Sequence, residues 1–195
     1  MMKFFQAAAL TLSFLGLVGF SGCTNTQRVT SVMLGAQTNA TFSLEQPSSF
    51  GGEFFATQRL EVSYLDKKTA KKIRQEVVVQ VEIDDESMRL VALGQMGISL
   101  FQLSWDGSLL KVQKPPGVLL PFAPEYLIAN MQLALWKEFP NNPSLMIEET
   151  KDKRVLKFAG KPALVITYPK GKGKMQEIRI NDLTRNFKIF ITRLD

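Results

Sequence analysis

The sequence contains no histidine and a single cysteine among its 195 residues. Without imidazole, the chain cannot build histidine-ligated zinc sites, Ser-His-Asp or Cys-His nucleophile systems, or histidine acid/base chemistry. A single cysteine also excludes an intramolecular disulfide bond. We therefore predict a protein that is not an enzyme and has no metal and no cofactor.

The chain also lacks any recognisable nucleic-acid-binding motif, although its net charge is +6. The lysines occur in short clusters such as DKKTAKKIR and YPKGKGKMQ, which we interpret as solvated hairpin tips. Contact with lipid phosphate groups is the alternative. GKGK lacks P-loop spacing, and the acids of IDDES (residues 83–87) fit a solvated turn better than a catalytic pair.

Residues 1–22 form an apolar run with one early cation, Lys3, which is typical of a secretory signal. The run leads into FSGC at positions 20–23, which resembles the bacterial lipobox. This resemblance implies cleavage before Cys23 and acylation of its thiol with chains such as palmitate. Because Thr24 replaces the aspartate that retains lipoproteins at the inner membrane, the same resemblance implies an outer-membrane protein facing the periplasm. A plain cleaved signal or an uncleaved anchor is the alternative.

The composition divides the chain into three parts. Residues 1–22 are the signal peptide. Residues 23–52 are rich in Thr, Ser, Asn, Gln and Gly, which indicates a lipidated tether with weak structure that partly joins the domain. Residues 53–195 form one domain with enough apolar residues for a core of its own.

Most of the domain has the pattern of β-strands. Residues 73–84 alternate between apolar and polar side chains, as in a half-buried antiparallel strand, and residues 97–114 predict a hairpin that turns at Asp106-Gly107. No βαβ alternation is present. We predict a mainly β fold, a strongly curved antiparallel sheet or open half-barrel with one central helix on its concave side. Four further strands are expected at 154–158, 163–168, 174–182 and 187–194.

One apolar segment interrupts the strands. Residues 115–136 contain a single charged side chain, Glu125, and four prolines. Pro124 suits the first turn of a helix that we predict over Pro124–Glu138. This helix has two roughly opposite apolar arcs, separated by polar positions, so apolar neighbours are expected on both sides. The arcs comprise Leu127, Ile128, Met131, Ala134 and Leu135 on one side, and Tyr126, Ala129, Leu133 and Trp136 on the other.

Two interpretations of this helix stay open. It is either a buried core element or a lid over an apolar cavity for an acyl chain, since ligand pockets are mostly apolar with few polar groups. The second interpretation names seven candidate lipid-binding residues. They are Phe101, Leu103, Trp105, Leu127, Met131, Leu135 and Trp136.

The order of these elements resembles the LolA/LolB-like outer-membrane lipoproteins, and more closely the branch called domain of unknown function 3261. The matching positions are a G-x-x-x-F-x-L strand at 97–103 and a Q-L-x-x-W helix end at 132–136. The resemblance implies a half-barrel of about eleven strands that holds acyl chains on its concave face. It also implies a membrane-contact loop at Val118, Leu119 and Leu120. Carrier relatives place a glycine soon after this tryptophan, whereas here three other residues lie between Trp136 and Pro140. Because of this departure, the resemblance does not specify which cargo is carried.

Two functions follow from these observations. The first is a lipoprotein that binds or passes on a lipid or lipoprotein through a concave apolar cavity. The second is a non-enzymatic lipoprotein subunit with a filled core that docks an envelope protein through an exposed apolar patch. Both partners belong to the cell envelope, and no nucleic acid is expected.

Overall fold

In the computed structural model, the described residues include thirteen strands, an α-helix and a 3₁₀ turn. Among the described residues, no helix is long and apolar enough to cross a membrane. The residues that the structure describes are 23–34, 41–66, 69–94, 97–118, 120, 122–143, 145–171 and 176–195.

The strands are short except for β4 and β5, the central hairpin, whose strands span 12 residues each. Helix α1 extends over Pro124–Leu135, and the 3₁₀ turn over Pro47–Phe50. The strands are β1 Cys23–Arg28, β2 Ser31–Met33, β3 Thr41–Ser43, β4 Phe54–Leu65, β5 Lys72–Ile83, β6 Met88–Leu93, β7 Ser99–Trp105, β8 Leu109–Lys114, β9 Met146–Glu149, β10 Lys153–Phe158, β11 Lys161–Thr167, β12 Glu177–Asp182 and β13 Phe187–Arg193.

Eleven strands form one antiparallel sheet in the order β1-β8-β7-β6-β5-β4-β13-β12-β11-β10-β9. Strands β1 and β9 lie at opposite edges and do not pair with each other, so the sheet stays open. The helix packs in the same apolar cluster as the inner face of the sheet. The predicted mainly β fold, an open antiparallel sheet with one helix, is confirmed.

Strand β5 is half-buried, as its alternation predicts: Val79, Val81 and Ile83 are buried, and Gln80 and Glu82 are exposed. The hairpin of β7 and β8 turns where predicted. Gly107 has φ +92°, and a Cβ at this position would lie 1.9 Å from Oε1 of Gln46, so only glycine fits.

Several element boundaries differ from the prediction by one to three residues, for example at β11, which spans Lys161–Thr167 rather than 163–168. The helix ends at Leu135 rather than at Glu138, since Trp136 has extended backbone while its N–H still bonds to the carbonyl of Gln132. Strand β12 begins at Glu177, and the first residues of its predicted span, 174–175, lie outside the described residues.

The segment 23–52, predicted as a tether with weak structure, contains three short strands and a 3₁₀ turn. Strand β1 pairs with β8, and the described residues 31–34 and 41–50, which we call the N-terminal cover, lie over the helix. Val32, Leu34 and Phe42 of this cover are buried. The cover contacts one end of the second apolar arc, where Trp136 meets Ser49 and Phe50. At the other end of this arc, Tyr126 contacts Asp182 and Phe187 of the sheet.

The two ends of the sheet differ in their connections. The β4–β5, β6–β7, β10–β11 and β12–β13 reversals lie at the end where Cys23 begins β1, and we call this the anchor end. The β5–β6, β7–β8, β9–β10 and β11–β12 reversals lie at the opposite, far end. Helix α1 starts near the anchor end, where the ring of Tyr126 lies 5.4 Å from that of Phe187.

Candidate lipid-binding interior

The structure brings the seven predicted lipid-binding residues together in one apolar cluster, and each is at most 6% exposed. Strand β7 contributes three of them from the inner face of the sheet. Helix α1 contributes three more, and the last follows its final turn. These residues are Phe101, Leu103, Trp105, Leu127, Met131, Leu135 and Trp136.

The floor of this interior is wider than the sequence indicated. Apolar side chains from β4, β5, β6, β8, β12 and β13 join the same cluster, because every strand turns alternate residues inward. Alternation marks these residues as buried, but it does not tell which strands face the helix. The additional floor residues include Leu60, Val79, Val81, Leu90, Ala92, Leu110, Val112, Ile178, Ile180, Ile189 and Ile191.

Both tryptophans are attached to the N-terminal cover and not only to the sheet. The indole N–H of Trp105 donates to the carbonyl of Glu45 at 3.1 Å. The indole N–H of Trp136 donates to the Ser49 hydroxyl at 2.9 Å, and the Trp136 ring lies 4.9 Å from that of Phe50. The role of Trp136 in this structure is thus to join the end of the helix to the cover.

A buried polar group, which we call the Glu45 clasp, joins the cover to the helix. Gln132 accepts from the Glu45 N–H at 2.9 Å and donates to the Glu45 carbonyl at 2.9 Å. The Glu45 carboxylate accepts from Asn141 at 2.8 Å and from Asn142 at 2.6 Å. Sequence reasoning missed this clasp and treated Gln132 as the border of an apolar arc. The available signal was a glutamine in an otherwise apolar helix.

The C-terminal half of the sheet caps the last turn of the helix. The guanidinium of Arg154 is fully buried, donates to the carbonyl of Leu133 and pairs with Glu149. The Tyr168 hydroxyl donates to the carbonyl of Ala134 at 2.9 Å, and burial raises the pKa of Tyr168 to about 12. These donors satisfy two carbonyls that have no partner within the helix.

A further contact holds the first turn of the helix. The Tyr126 hydroxyl donates to the buried carboxylate of Asp182, which also accepts from the backbone N–H groups of Thr184 and Arg185. The Arg185 guanidinium lies 4.3 Å from the centre of the Tyr126 ring. Burial, and then the charge of Asp182, raise the pKa of Tyr126 above its ordinary value.

Three buried side chains of this interior, those of Gln58, Asn130 and Arg154, have atoms without hydrogen-bond partners among the described residues; in Arg154 the atom is Nη2. Gln58 lies on β4 between buried Ala56 and Leu60, is 0% exposed, and neither atom of its amide has a partner. Asn130 of the helix is also fully buried; its amide nitrogen donates to the Tyr126 carbonyl, but its amide oxygen has no partner. Buried polar groups of this kind are rare in folded proteins because they lose their bonds to water.

The predicted membrane-contact loop is only partly exposed. Val118 and Leu120 are half-buried, Leu120 packs against the core, and Leu119 lies outside the described residues. The backbone of Cys23 begins the edge strand β1, while its side chain also lies outside the described residues. Leu120 thus joins the margin of the cluster that contains the seven interior residues.

Polar surface features are separate from this interior. A concavity of about 560 Å³ lies on the outer face of the sheet and is lined by Lys72, Arg74, Arg179 and Lys188 among others. Within the described ranges, no group of His, Cys, Asp or Glu side chains has the arrangement of a metal site.

The acids of the β5–β6 reversal have a structural role. The carboxylate of Asp84 accepts from the backbone N–H of Glu86 and of Ser87 at 2.9 and 2.6 Å. Slight burial pushes the pKa of Asp84 up, but these hydrogen bonds and the charge of Arg89 hold it below its ordinary value. Asp84 therefore stabilises a turn.

A family model described as protein of unknown function, DUF3261, matches residues 56–195, which is more than half of the chain. The match begins in β4, so it covers the helix and all strands of the large sheet except β1, and it leaves out the N-terminal cover. No curated protein matches the chain. The predicted family is confirmed, whereas the likeness to the LolA/LolB-like lipoproteins stays a prediction.

Proposed function

The chain belongs to the DUF3261 family, and for it we propose the role of a lipid-anchored envelope protein that binds an acyl-chain-bearing ligand. The ligand, a lipid or the acyl part of a lipoprotein, lies between the inner face of the sheet and helix α1. Acylation of Cys23 and an outer-membrane location facing the periplasm are parts of this proposal, supported by residues 20–24. The likeness to LolA/LolB-like lipoproteins supports the same role, which is binding and transfer rather than catalysis.

The observation that carries the proposal is the Gln58 amide. An interior that served only as a core would gain by replacing Gln58 with an apolar residue of similar volume, since an unpartnered buried amide costs about 1–3 kcal/mol. A ligand with a carbonyl or carboxyl group would satisfy this amide. Apolar pockets typically contain such isolated polar groups, which orient the ligand.

The interior is filled by the helix in this structure, so a ligand enters when the helix moves. Movement away from β5, β6, β7 and β8 breaks no hydrogen bond between these strands and the helix among the described residues. On this side of the sheet it breaks the bond of 3.4 Å from Gln27 of the edge strand β1 to the Glu125 carboxylate. The Arg154 and Tyr168 bonds to the last turn of the helix belong to the other half of the sheet. We therefore propose that α1 opens from the β5–β8 side while it stays attached to β10 and to Tyr168.

The test is native mass spectrometry of the mature chain carrying Cys23→Ser, without detergent, in the presence of palmitate. We expect a bound palmitate, and Gln58→Met should weaken its binding about tenfold, the worth of one hydrogen bond, while the free energy of unfolding stays equal or rises. The matched control is Gln80→Met, which changes an exposed glutamine of the neighbouring strand β5. A bare polypeptide mass at every palmitate concentration would contradict the proposal.

A second function is favoured by a different observation, the complete burial of all seven candidate residues. In this case the protein is an anchored subunit with a filled core that docks an envelope protein. Gln58→Met then stabilises the fold, and palmitate binds to neither variant. Trp136→Asp does not discriminate between the two functions, because Trp136 is fully buried and its replacement by a carboxylate should unfold the chain in both cases.

A further inference from the structure

The exposed large apolar side chains are unevenly distributed over the two ends of the sheet. Eight such side chains are exposed among the described residues, and Phe55 and Leu194 are the two at the far end. The other six lie at the anchor end. Most are in or beside its reversals, one is at the start of β9, and one is in β2, where the Arg185 guanidinium donates to the Met33 carbonyl. These six are Met33, Leu65, Ile98, Leu100, Met146 and Leu183.

The exposed charges at the anchor-end reversals are also of one sign. In and directly beside these reversals, the exposed charged residues that the structure describes are Lys71, Lys72 and Lys161. Asp66 is half-buried there and accepts a hydrogen bond from the Thr69 hydroxyl at 2.8 Å. At the far end, by contrast, exposed carboxylates such as Asp85 stand among exposed lysines.

We propose that the anchor end docks on the surface of an anionic phospholipid bilayer. Lysines close to such a surface are attracted by the headgroups, and exposed apolar side chains enter the boundary between headgroups and acyl chains. The backbone of Cys23 lies at the same end, so acyl chains on this residue would bring these reversals to the bilayer first. This inference rests on the anchoring part of the proposed function and extends the contact from Val118–Leu120 to the strand reversals.

The arrangement fits a bilayer better than a protein partner. The apolar side chains belong to separate reversals, such as those at Ile98 and Leu183, on opposite sides of the central β4–β5 hairpin. A protein partner requires one continuous complementary patch, whereas a fluid surface accepts side chains that arrive separately.

The experiment is hydrogen exchange of the acylated, full-length product reconstituted into vesicles through its own anchor. With vesicles containing about one third phosphatidylglycerol, we expect exchange in the β6–β7 and β12–β13 reversals to slow about tenfold relative to phosphatidylcholine vesicles, and the far-end reversals to stay unchanged. High salt should reverse the effect, since the attraction is screened. Equal exchange at both ends with both lipids would overturn the inference.

Matched pairs of variants separate docking from general surface changes. Ile98→Asp with Leu183→Asp replaces side chains that are 58% and 48% exposed, and Phe55→Asp with Leu194→Asp replaces far-end side chains that are 60% and 51% exposed. Lys71→Glu with Lys161→Glu has the control Lys151→Glu with Lys153→Glu at the far end. The anchor-end pairs should each abolish the slowing, and the far-end pairs should leave it intact. Loss in a far-end pair with intact circular dichroism would contradict docking by the anchor end.

Failure of the anchoring proposal has its own signature. Intact mass spectrometry of the purified protein reports whether Cys23 carries acyl chains. If Cys23 carries no acyl chains, flotation of the unacylated protein with the same vesicles tests the anchor-end surface directly. The inference then holds only if the protein binds vesicles that contain phosphatidylglycerol and the anchor-end variants do not bind them.

Discussion

Helix α1 meets the two halves of the sheet in different ways. The C-terminal half, β9 to β13 with their connections, holds the helix by hydrogen bonds from Arg154 and Tyr168 and through Asp182. The N-terminal half, β4 to β8, contributes apolar side chains such as Leu103 and Val79 to the cluster that contains the helix, and Gln27 of the edge strand β1 donates to the Glu125 carboxylate at 3.4 Å. Hydrogen bonds fix one position and one direction, whereas apolar contact tolerates sliding and separation. Under the proposed function, the half with more hydrogen bonds to the helix is the hinge and the other half is the opening.

The largest expected effect comes from the hinge side. Arg154→Ala removes a fully buried side chain that bonds to Leu133 and Glu149, so we expect the free energy of unfolding to fall by about 4 kcal/mol. Urea denaturation measures this change. Arg179→Ala, which removes an exposed guanidinium from above Phe190, is the control and should cost under about 1 kcal/mol. Similar losses in both variants would remove the distinction on which the hinge depends.

A smaller loss is expected on the opening side, with a different signature. Leu103→Ala leaves a cavity in an apolar contact and should cost about 3 kcal/mol. Palmitate should stabilise every variant that still binds it; if an acyl chain enters this side and fills the cavity, the gain should be larger in Leu103→Ala than in Arg154→Ala. Thermal unfolding with and without palmitate measures the difference. Equal gains in both variants would mean that the two halves of the sheet do not differ in ligand access.

The smallest effect concerns pH. Since burial raises the pKa of Tyr126 and of Tyr168 in the folded chain, both phenols stay protonated where an unfolded tyrosine begins to ionise. Their contribution is complete below about pH 10 and is lost as the pH rises above it. Tyr126→Phe should cost about 1 kcal/mol at neutral pH and flatten this alkaline decline. Urea denaturation from pH 8 to 11 measures both effects, with Tyr64→Phe as the control; an unchanged alkaline decline in Tyr126→Phe would contradict the assignment.

Much of the fold was accessible from local patterns. The alternation in β5, the turn at Gly107 and the proline at the first helical position each act within a few residues, and each was predicted correctly. The apolar nature of both arcs of the helix was also readable. The end of the helix was wrong by three residues, because Trp136 leaves the helix to reach Ser49 and no local rule anticipates this contact.

The candidate site was predictable only as a set of apolar residues. Helical and strand periodicity identified the seven side chains that form part of the interior. The polar residues that make the interior distinctive were missed. Gln132 was interpreted as a polar border between the two apolar arcs of the helix, and Glu45 as part of a tether. In the structure the Glu45 N–H donates to the Gln132 side chain across 87 residues of sequence. Gln58 occupies an inward position of β4, but no neighbour in sequence reveals that its amide lacks a partner.

The sequence by itself determined the mainly β architecture, the two-sided apolar helix and the absence of histidine chemistry, because these depend on periodicity and composition. Only the tertiary structure decided that the N-terminal segment covers the helix and that most of the hydrogen bonds between the helix and the sheet, among the described residues, come from the C-terminal half. It also decided that the exposed apolar residues gather at the end where Cys23 begins β1. These properties arise from pairing between distant segments, which register and packing specify and local pattern does not.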